Sequence, residues 1–237
     1  MASSGTTTFD LQIDEIVEEA YERCGIQTNS GYDLKKARRS LNVLFSDWGN
    51  RGVHLFKIQL NVAALASGTS QYQTASGCSD VLEAFISNNA TLVDPASTTT
   101  DISITKIDRS TYAAIPNKGA TGTPSQYYVQ RVSKGNTTLP LITLFLTPDA
   151  STYTHLKYFS IQRIDDAGAF TNTADVPFRW LPCMISGLAF YVSQKYTPER
   201  TEQLKLYYED ELKRALDEDG SRSSTFITPA QYYPTVT

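Results

Sequence analysis

Apolar residues change their spacing twice along the chain, from a helical period to an alternating one and back. Asp10 reads as an N-cap, followed by Leu11, Ile13, Ile16, Val17 and Ala20, with Gly25 as the stop after Arg23. A second helix opens near Asp33 and places Leu34, Ala37, Leu41, Leu44, Phe45 and Trp48 on one face. Gly49-Asn50 is expected to break it, with Gly52 as a second breaker. The link from Gly25 to Tyr32 is short enough for an antiparallel helix pair.

From Phe56 the period becomes two: Phe56, Ile58, Leu60 and Val62 alternate with Lys57, Gln59 and Asn61. Further strands are expected over Gln71–Thr74, Val81–Ser87 and Ala90–Val93, the last two joined by an Asn88-Asn89 hairpin turn. Ile102–Ile107, Tyr127–Val132 and Leu139–Leu146 follow, with Lys134-Gly135-Asn136 as the turn between the last two. Thr152–Ile164 alternates over a long stretch, with Tyr153, His155, Lys157, Phe159 and Ile161 on one face. Seven or eight short strands imply a small sandwich or barrel-like sheet. Asp108–Ile115 reads as a helical turn or short helix.

Helical spacing then returns. Pro177 sits near a helix start, and Phe178, Trp180, Leu181, Met184, Ile185, Leu188, Ala189 and Val192 form a broad apolar face. Tyr196-Thr197-Pro198 breaks this helix, with Thr197 as cap and Pro198 in the first position of the next. That helix carries Leu204, Tyr207, Tyr208, Leu212, Ala215 and Leu216 and ends at Gly220. The expected class is α+β: a helical bundle built from the N- and C-terminal arms, an inserted antiparallel β module and an extended C-terminal tail. The expected divisions are 1–53 and 167–220 for the arms, 54–166 for the β module and 221–237 for the tail.

Composition and charge sharpen this division. The chain has 237 residues, 41% of them hydrophobic and 19% charged, enough apolar content for a real core. Net charge is −4, which argues against a protein that grips phosphates. The stretch 54–166 holds 8 acidic and 8 basic residues and 28 Ser and Thr, so all the excess negative charge belongs to the flanks. No apolar run reaches the roughly 18 residues of a membrane span, and Met1 to Thr8 has no signal-peptide pattern. Cys24, Cys78 and Cys183 are far apart and read as reduced, buried thiols.

The search for chemistry finds little. His54 and His155 are the two histidines, each alone and in a strand context, and read as sheet residues rather than ligands or bases. No zinc spacing, nucleophile elbow, P-loop or dinucleotide fingerprint is present, so no cofactor or metal is expected. Asp165-Asp166 and Asp217-Glu218-Asp219 cluster carboxylates that hydrolysis could use. The second cluster sits at the negative end of a helix dipole, which suits solvated, frayed residues better than a catalytic pair. The tail carries Phe226-Ile227-Thr228-Pro229 and Tyr232-Tyr233-Pro234, an apolar extended segment. It either packs back on its own domain or orders by docking in a partner's groove or along its sheet edge.

Asp175-Val176-Pro177-Phe178-Arg179-Trp180-Leu181-Pro182 resembles the C-terminal half of the head-to-tail adaptor proteins of short-tailed bacteriophages. So do Ser186-Gly187-Leu188-Ala189-Phe190-Tyr191, Lys195-Tyr196-Thr197-Pro198-Glu199-Arg200 and Tyr208-Glu209-Asp210-Glu211-Leu212-Lys213-Arg214-Ala215. The helix Ile13–Gly25 and the run from Leu41 to Trp48-Gly49-Asn50-Arg51-Gly52 are similar to the family's opening helix pair. The resemblance covers both arms, about half of the chain; the middle matches in architecture only.

It implies a structural virion protein rather than an enzyme. In that family the helices form a bundle, and about a dozen copies assemble as a ring beneath the portal protein. The β module faces the tail nozzle protein, and DNA passes through the channel without sequence-specific binding. The resemblance assigns portal contact to Phe226, Ile227, Thr228, Pro229, Tyr232 and Tyr233, and core packing to Trp48, Trp180, Leu181 and Leu188. Two rival classes remain at this point. A tail-associated peptidoglycan hydrolase would use a carboxylate such as Asp165 or Glu199. A glycan- or receptor-binding module would stack sugars on Tyr72, Tyr112, Tyr127, Tyr128, Tyr153 or Tyr158.

Overall fold

The computed structural model describes residues 9–27, 31–91, 100–131 and 139–219. Among them the chain is α+β, with five helices, a curled seven-stranded mixed sheet and a separate two-stranded ladder. Helix α1 spans Ile13–Cys24 and α2 spans Gly31–Asn50. A 3-10 turn, Phe178–Trp180, leads into α4 (Leu181–Tyr196), and another, Pro198–Arg200, into α5 (Thr201–Asp219). The short α3 (Arg109–Ala114) lies within the strand-rich middle.

The N-cap of helix α1 is Gln12, not the expected Asp10. Its first amide groups are satisfied from far along the chain: Ile13 N–H donates to the Asn172 carbonyl at 2.9 Å and Asp14 N–H to that of Phe170 at 3.0 Å. The Glu15 carboxylate accepts the Gln12 N–H at 2.8 Å, so a local Asp cap is not needed. Gly25 ends the helix as expected, at φ 75°, while Ile26 N–H closes on the Tyr21 carbonyl. Helix α2 begins at Gly31 and runs through Gly49-Asn50, which do not break it. The stop is Gly52 at φ 83°, with Val53 N–H bonded to the Trp48 carbonyl.

Helix α4 is buried almost all round and packs against α1, α2 and α5. The expected face of α2 enters this core: Ala37, Leu41, Leu44, Phe45 and Trp48 are buried and Leu34 packs at its edge. From α4 come Leu181, Met184, Ile185, Leu188, Ala189 and Val192, and from α5 Leu204, Tyr208, Leu212 and Ala215. Each large apolar side chain so buried contributes about 1.5–3 kcal/mol. Phe178, expected on the same face, is instead 68% exposed, because the 3-10 turn rotates it away from the helix that follows. Tyr207 and Leu216 of α5 also face solvent. Thr197 separates α4 from the next turn without a side-chain capping bond.

The sheet comprises β1 (Ile58–Ala64), β2 (Gln71–Gln73), β3 (Cys78–Ser87), β4 (Asp101–Ile107), β6 (Gln126–Gln130), β7 (Leu141–Phe145) and β9 (His155–Gln162). The ladder pairs β5 (Thr121–Gly122) with β8 (Thr147–Pro148). Sheet order is β1-β9-β3-β4-β6-β7-β2. The expected wholly antiparallel module is corrected here: β4 and β6 run parallel, as do β5 and β8. A parallel pair needs a long crossover, and residues 108–125 supply one. Asp108 caps α3 within it, accepting the Thr111 N–H at 2.7 Å, which accounts for the short helix expected over Asp108–Ile115.

The expected Asn88-Asn89 hairpin does not form. Strand β3 turns back into β4, with Ser87 opposite Asp101, and Ala90 and Thr91 are not strand. The asparagines instead hold loop backbone: Asn88 Oδ1 accepts from Thr100 N–H at 3.1 Å, and Asn89 Oδ1 from Thr91 N–H at 3.0 Å. Residues 92–93 and the expected turn Lys134-Gly135-Asn136 lie outside the described residues.

The sheet has its own core, built from Val81, Ala84, Ile86, Ile104, Tyr127, Ile142, Leu144, Leu156 and Tyr158. From β9 it takes Leu156 and Tyr158; on the opposite face Lys157 is 3% exposed and bonded to Asp101 at 3.1 Å. All three cysteines are free and buried, as expected. Val53, Phe56, Ile164 and Ala167 pack on the helical core, where the chain passes between the two cores.

Candidate functional site

Of the ionisable residues singled out in the sequence, His54 and Asp166 line one cleft and the other described ones are spread over the surface. His54 precedes the 3-10 turn Leu55–Lys57 instead of lying in a strand. It lines a cleft of 480 Å³ between the end of α2 and the sheet, with Asp80, Arg131, Arg163 and Asp166 on the sheet side. Asp80 is already paired there, with Arg131 and, at 3.8 Å, Lys106. His155 lies in β9, its Nδ1 2.8 Å from the Thr154 hydroxyl. Asp165 and Asp166 are exposed, and the Asp165 N–H donates to Asp175, whose carboxylate also holds Lys57. Glu199 is exposed on the turn after α4, and Asp217 and Glu218 are exposed near the end of α5. Among the described residues no group of three His, Cys, Asp or Glu side chains is placed to hold a metal ion. The tyrosines proposed as a sugar platform are divided too. Tyr127 and Tyr158 are core residues, while Tyr112 stacks on Tyr128 at 5.4 Å.

The residues assigned to portal contact, Phe226, Ile227, Thr228, Pro229, Tyr232 and Tyr233, lie outside the described residues.

A concave surface that the sequence did not reveal lies along α1. It is a groove of 480 Å³ whose floor is Phe9, Leu11, Phe178, Leu181, Pro182 and Ile185. Its rim is acidic: Glu15, Glu18, Glu19 and Glu22 follow one another along α1, with Arg23 as the cation among them. Glu19 holds Arg23 at 3.0 Å, and Arg23 also donates to the Ser186 hydroxyl at 2.8 Å, which ties the rim to α4. Phe9 and Phe178 meet edge to face at 6.1 Å yet remain 65% and 68% exposed. The signal for this groove was present in the acidic spacing on the outward side of α1. The helical spacing of Phe178 with Leu181 and Ile185 hides it, because that spacing alone places Phe178 on the buried face of α4.

The opposite chemistry appears on α2. Lys35, Arg39 and Val43 form an exposed stripe at intervals of one helical turn, and Val43 is 50% exposed. Lys195 of α4 lies against the same side, its ammonium 2.5 Å from the Ser40 hydroxyl. Burial lowers the Lys195 pKa first, and the neighbouring charges of Arg39 and Lys36 lower it further, so these cations crowd one another. One chain therefore presents an acidic, apolar-floored groove and a basic helix face on separate surfaces. No family model and no curated protein sequence matches this chain.

Proposed function

We propose that this chain is a structural virion protein, the head-to-tail adaptor that sits between the portal and the tail nozzle of a short-tailed bacteriophage. In this reading α1, α2, α4 and α5 form the bundle of one subunit, and about twelve subunits close into a ring. The sheet module meets the nozzle protein below. Phe226, Ile227, Thr228, Pro229, Tyr232 and Tyr233 dock on the portal above, and DNA passes through the ring during packaging and ejection.

One observation carries the reading: helices from both ends of the chain share a core, while the sheet between them has another. A chain organised this way can present the sheet and the terminal segment to different partners without disturbing the part that holds the subunit together. The resemblance of both arms to the adaptor family supports the same assignment. The charge distribution suits a DNA passage as well, since a neutral to acidic lining leaves few cations to retain phosphates.

The test is to mix the full chain with portal-bearing particles that lack their tails and to image the vertex. A ring of density beneath the portal, lost when residues 221–237 are deleted, is the expected result. A bare portal, with the chain remaining in solution at saturating concentration, would overturn the reading.

A further inference from the structure

We infer that the acidic groove along α1 receives the basic stripe of α2 from a second copy of this chain, making the subunit contact that the ring requires. The inference rests on the adaptor reading and adds to it the two surfaces that meet. It starts from complementarity in three respects. The first is charge, with Glu15, Glu18, Glu19 and Glu22 on the groove rim and Lys35 and Arg39 on the stripe. The second is apolar fit: Phe9 and Phe178 stand exposed on the groove floor, and Val43 stands exposed one turn beyond Arg39. The third is length. At about 1.5 Å per residue, Glu15 to Glu22 covers roughly 10 Å and Lys35 to Val43 roughly 12 Å.

The contact joins a helix to a groove through an apolar knob at one end of a row of charges, a mode in which the apolar anchor supplies affinity and the charges fix register. It must form between chains, because the inner face of α2 is already packed in its own subunit's helical core. The two patches differ, so the contact is heterologous, and repetition of one such contact gives a ring when the rotation closes. Lys195 adds a cation beside Arg39, its ammonium 2.5 Å from the Ser40 hydroxyl, while Lys36 is held by Asp33 and the Tyr196 hydroxyl.

The experiment uses the full chain with two charge-reversal pairs on exposed side chains: Glu18→Lys with Glu22→Lys, and Lys35→Glu with Arg39→Glu. Assembly is measured by sedimentation across a concentration series and by imaging on portal-bearing particles, with thermal melts confirming that each variant folds. Each variant alone is expected to raise the concentration for half-assembly about tenfold or more, and an equimolar mixture of the two to recover assembly. Raised salt is expected to weaken wild-type assembly in the same direction. Variants that assemble like the wild type would overturn these surfaces and leave the adaptor reading standing. A groove variant that fails while the stripe variant behaves normally would assign the groove to another occupant and overturn the pairing, as would a mixture that recovers nothing. A wild-type chain that stays monomeric both in solution and on particles would remove the adaptor reading and this inference together.

Discussion

Trp48 and Tyr208 meet at the centre of the helical core: the indole Nε1 donates to the phenolic oxygen at 3.1 Å, and both rings are 0% exposed. The contact joins α2 to α5 across most of the chain. The Tyr208 hydroxyl in turn donates a hydrogen bond to Asp47 at 3.3 Å, and Asp47 is held by Arg51 at 2.9 Å. Arg51 then forks onto Glu209, the residue of α5 that follows the same tyrosine. Burial pushes the Tyr208 phenol well above its ordinary range, so it stays neutral and keeps a proton to donate. A buried polar pair thus fixes the register of the two arms, and a ladder of charges continues it to the surface.

Replacing Tyr208→Phe keeps the ring and removes the acceptor for the indole N–H. A buried donor left without a partner costs about 1–3 kcal/mol. The chain has two tryptophans, Trp48 and Trp180, and both lie in the helical core, so their fluorescence reports on that core directly. The urea midpoint followed by tryptophan emission is expected to fall accordingly. An unchanged midpoint would mean that the pair contributes nothing to joining the arms.

Gly187 is where α4 comes closest to its neighbours. A Cβ there would stand 2.9 Å from both Leu44 methyl carbons and from Cε2 of Tyr208, side chains that are fully buried. Alanine would gain about 1 kcal/mol of helix propensity. Overpacking against the aromatic ring costs about 1–3 kcal/mol, so Gly187→Ala is expected to destabilise. Gly49, in the last turn of α2, meets nothing within 4 Å, and Gly49→Ala is expected to stabilise by about 0.5 kcal/mol. Opposite signs in thermal melts of the two variants are the expected result; a stabilising Gly187→Ala would mean the helices separate easily at that point.

Helical regions were legible because their apolar spacing answers to one core, and Leu41, Leu44 and Trp48 show it well. What sequence reading missed depends on partners distant in the chain. Asp10 looked like a cap because the loop at Phe170 and Asn172, which satisfies the first turn of α1, is invisible locally. The Asn88-Asn89 turn looked like a hairpin because nothing nearby announced that Ser87 would pair with Asp101. Parallel pairing of β4 with β6 leaves no local mark at all, since alternation is the same in either direction. Phe178 shows the converse failure: one 3-10 turn shifts the helical phase and turns a predicted core residue into groove floor.

Acid should loosen the sheet through Asp80. Burial alone would raise this carboxyl, but Arg131, the Val81 N–H and Lys106 together outweigh it and hold the pKa below the ordinary value. Its stabilising contribution is complete above the unfolded carboxylate pKa of about 3.9 and is lost as pH falls through the lowered folded value. Asp80→Asn is expected to cost about 1 kcal/mol at neutral pH, where the partly exposed pair is screened by solvent. It should also flatten the dependence of the urea midpoint on pH below about 4. A variant whose acid limb matches the wild type would mean that the pairing of Asp80 does not set acid stability.

The three thiols test whether the helical arms behave as one unit. Cys24 and Cys183 are 1% exposed in the helical core, and Cys78 is 3% exposed in the sheet core. Burial raises the pKa of all three, and Cys183, with Glu211 adding to the effect, is pushed up to about 12. The thiolate is the reactive form, so the native chain is expected to resist alkylation at mildly alkaline pH. As denaturant rises, Cys24 and Cys183 should become labelled over the same range, because α1 and α4 share their buried contacts. Mass spectrometry of alkylated peptides resolves each site separately. Labelling of Cys183 while Cys24 remains protected would show that the N- and C-terminal arms open independently, contrary to a single core built from both ends of the chain.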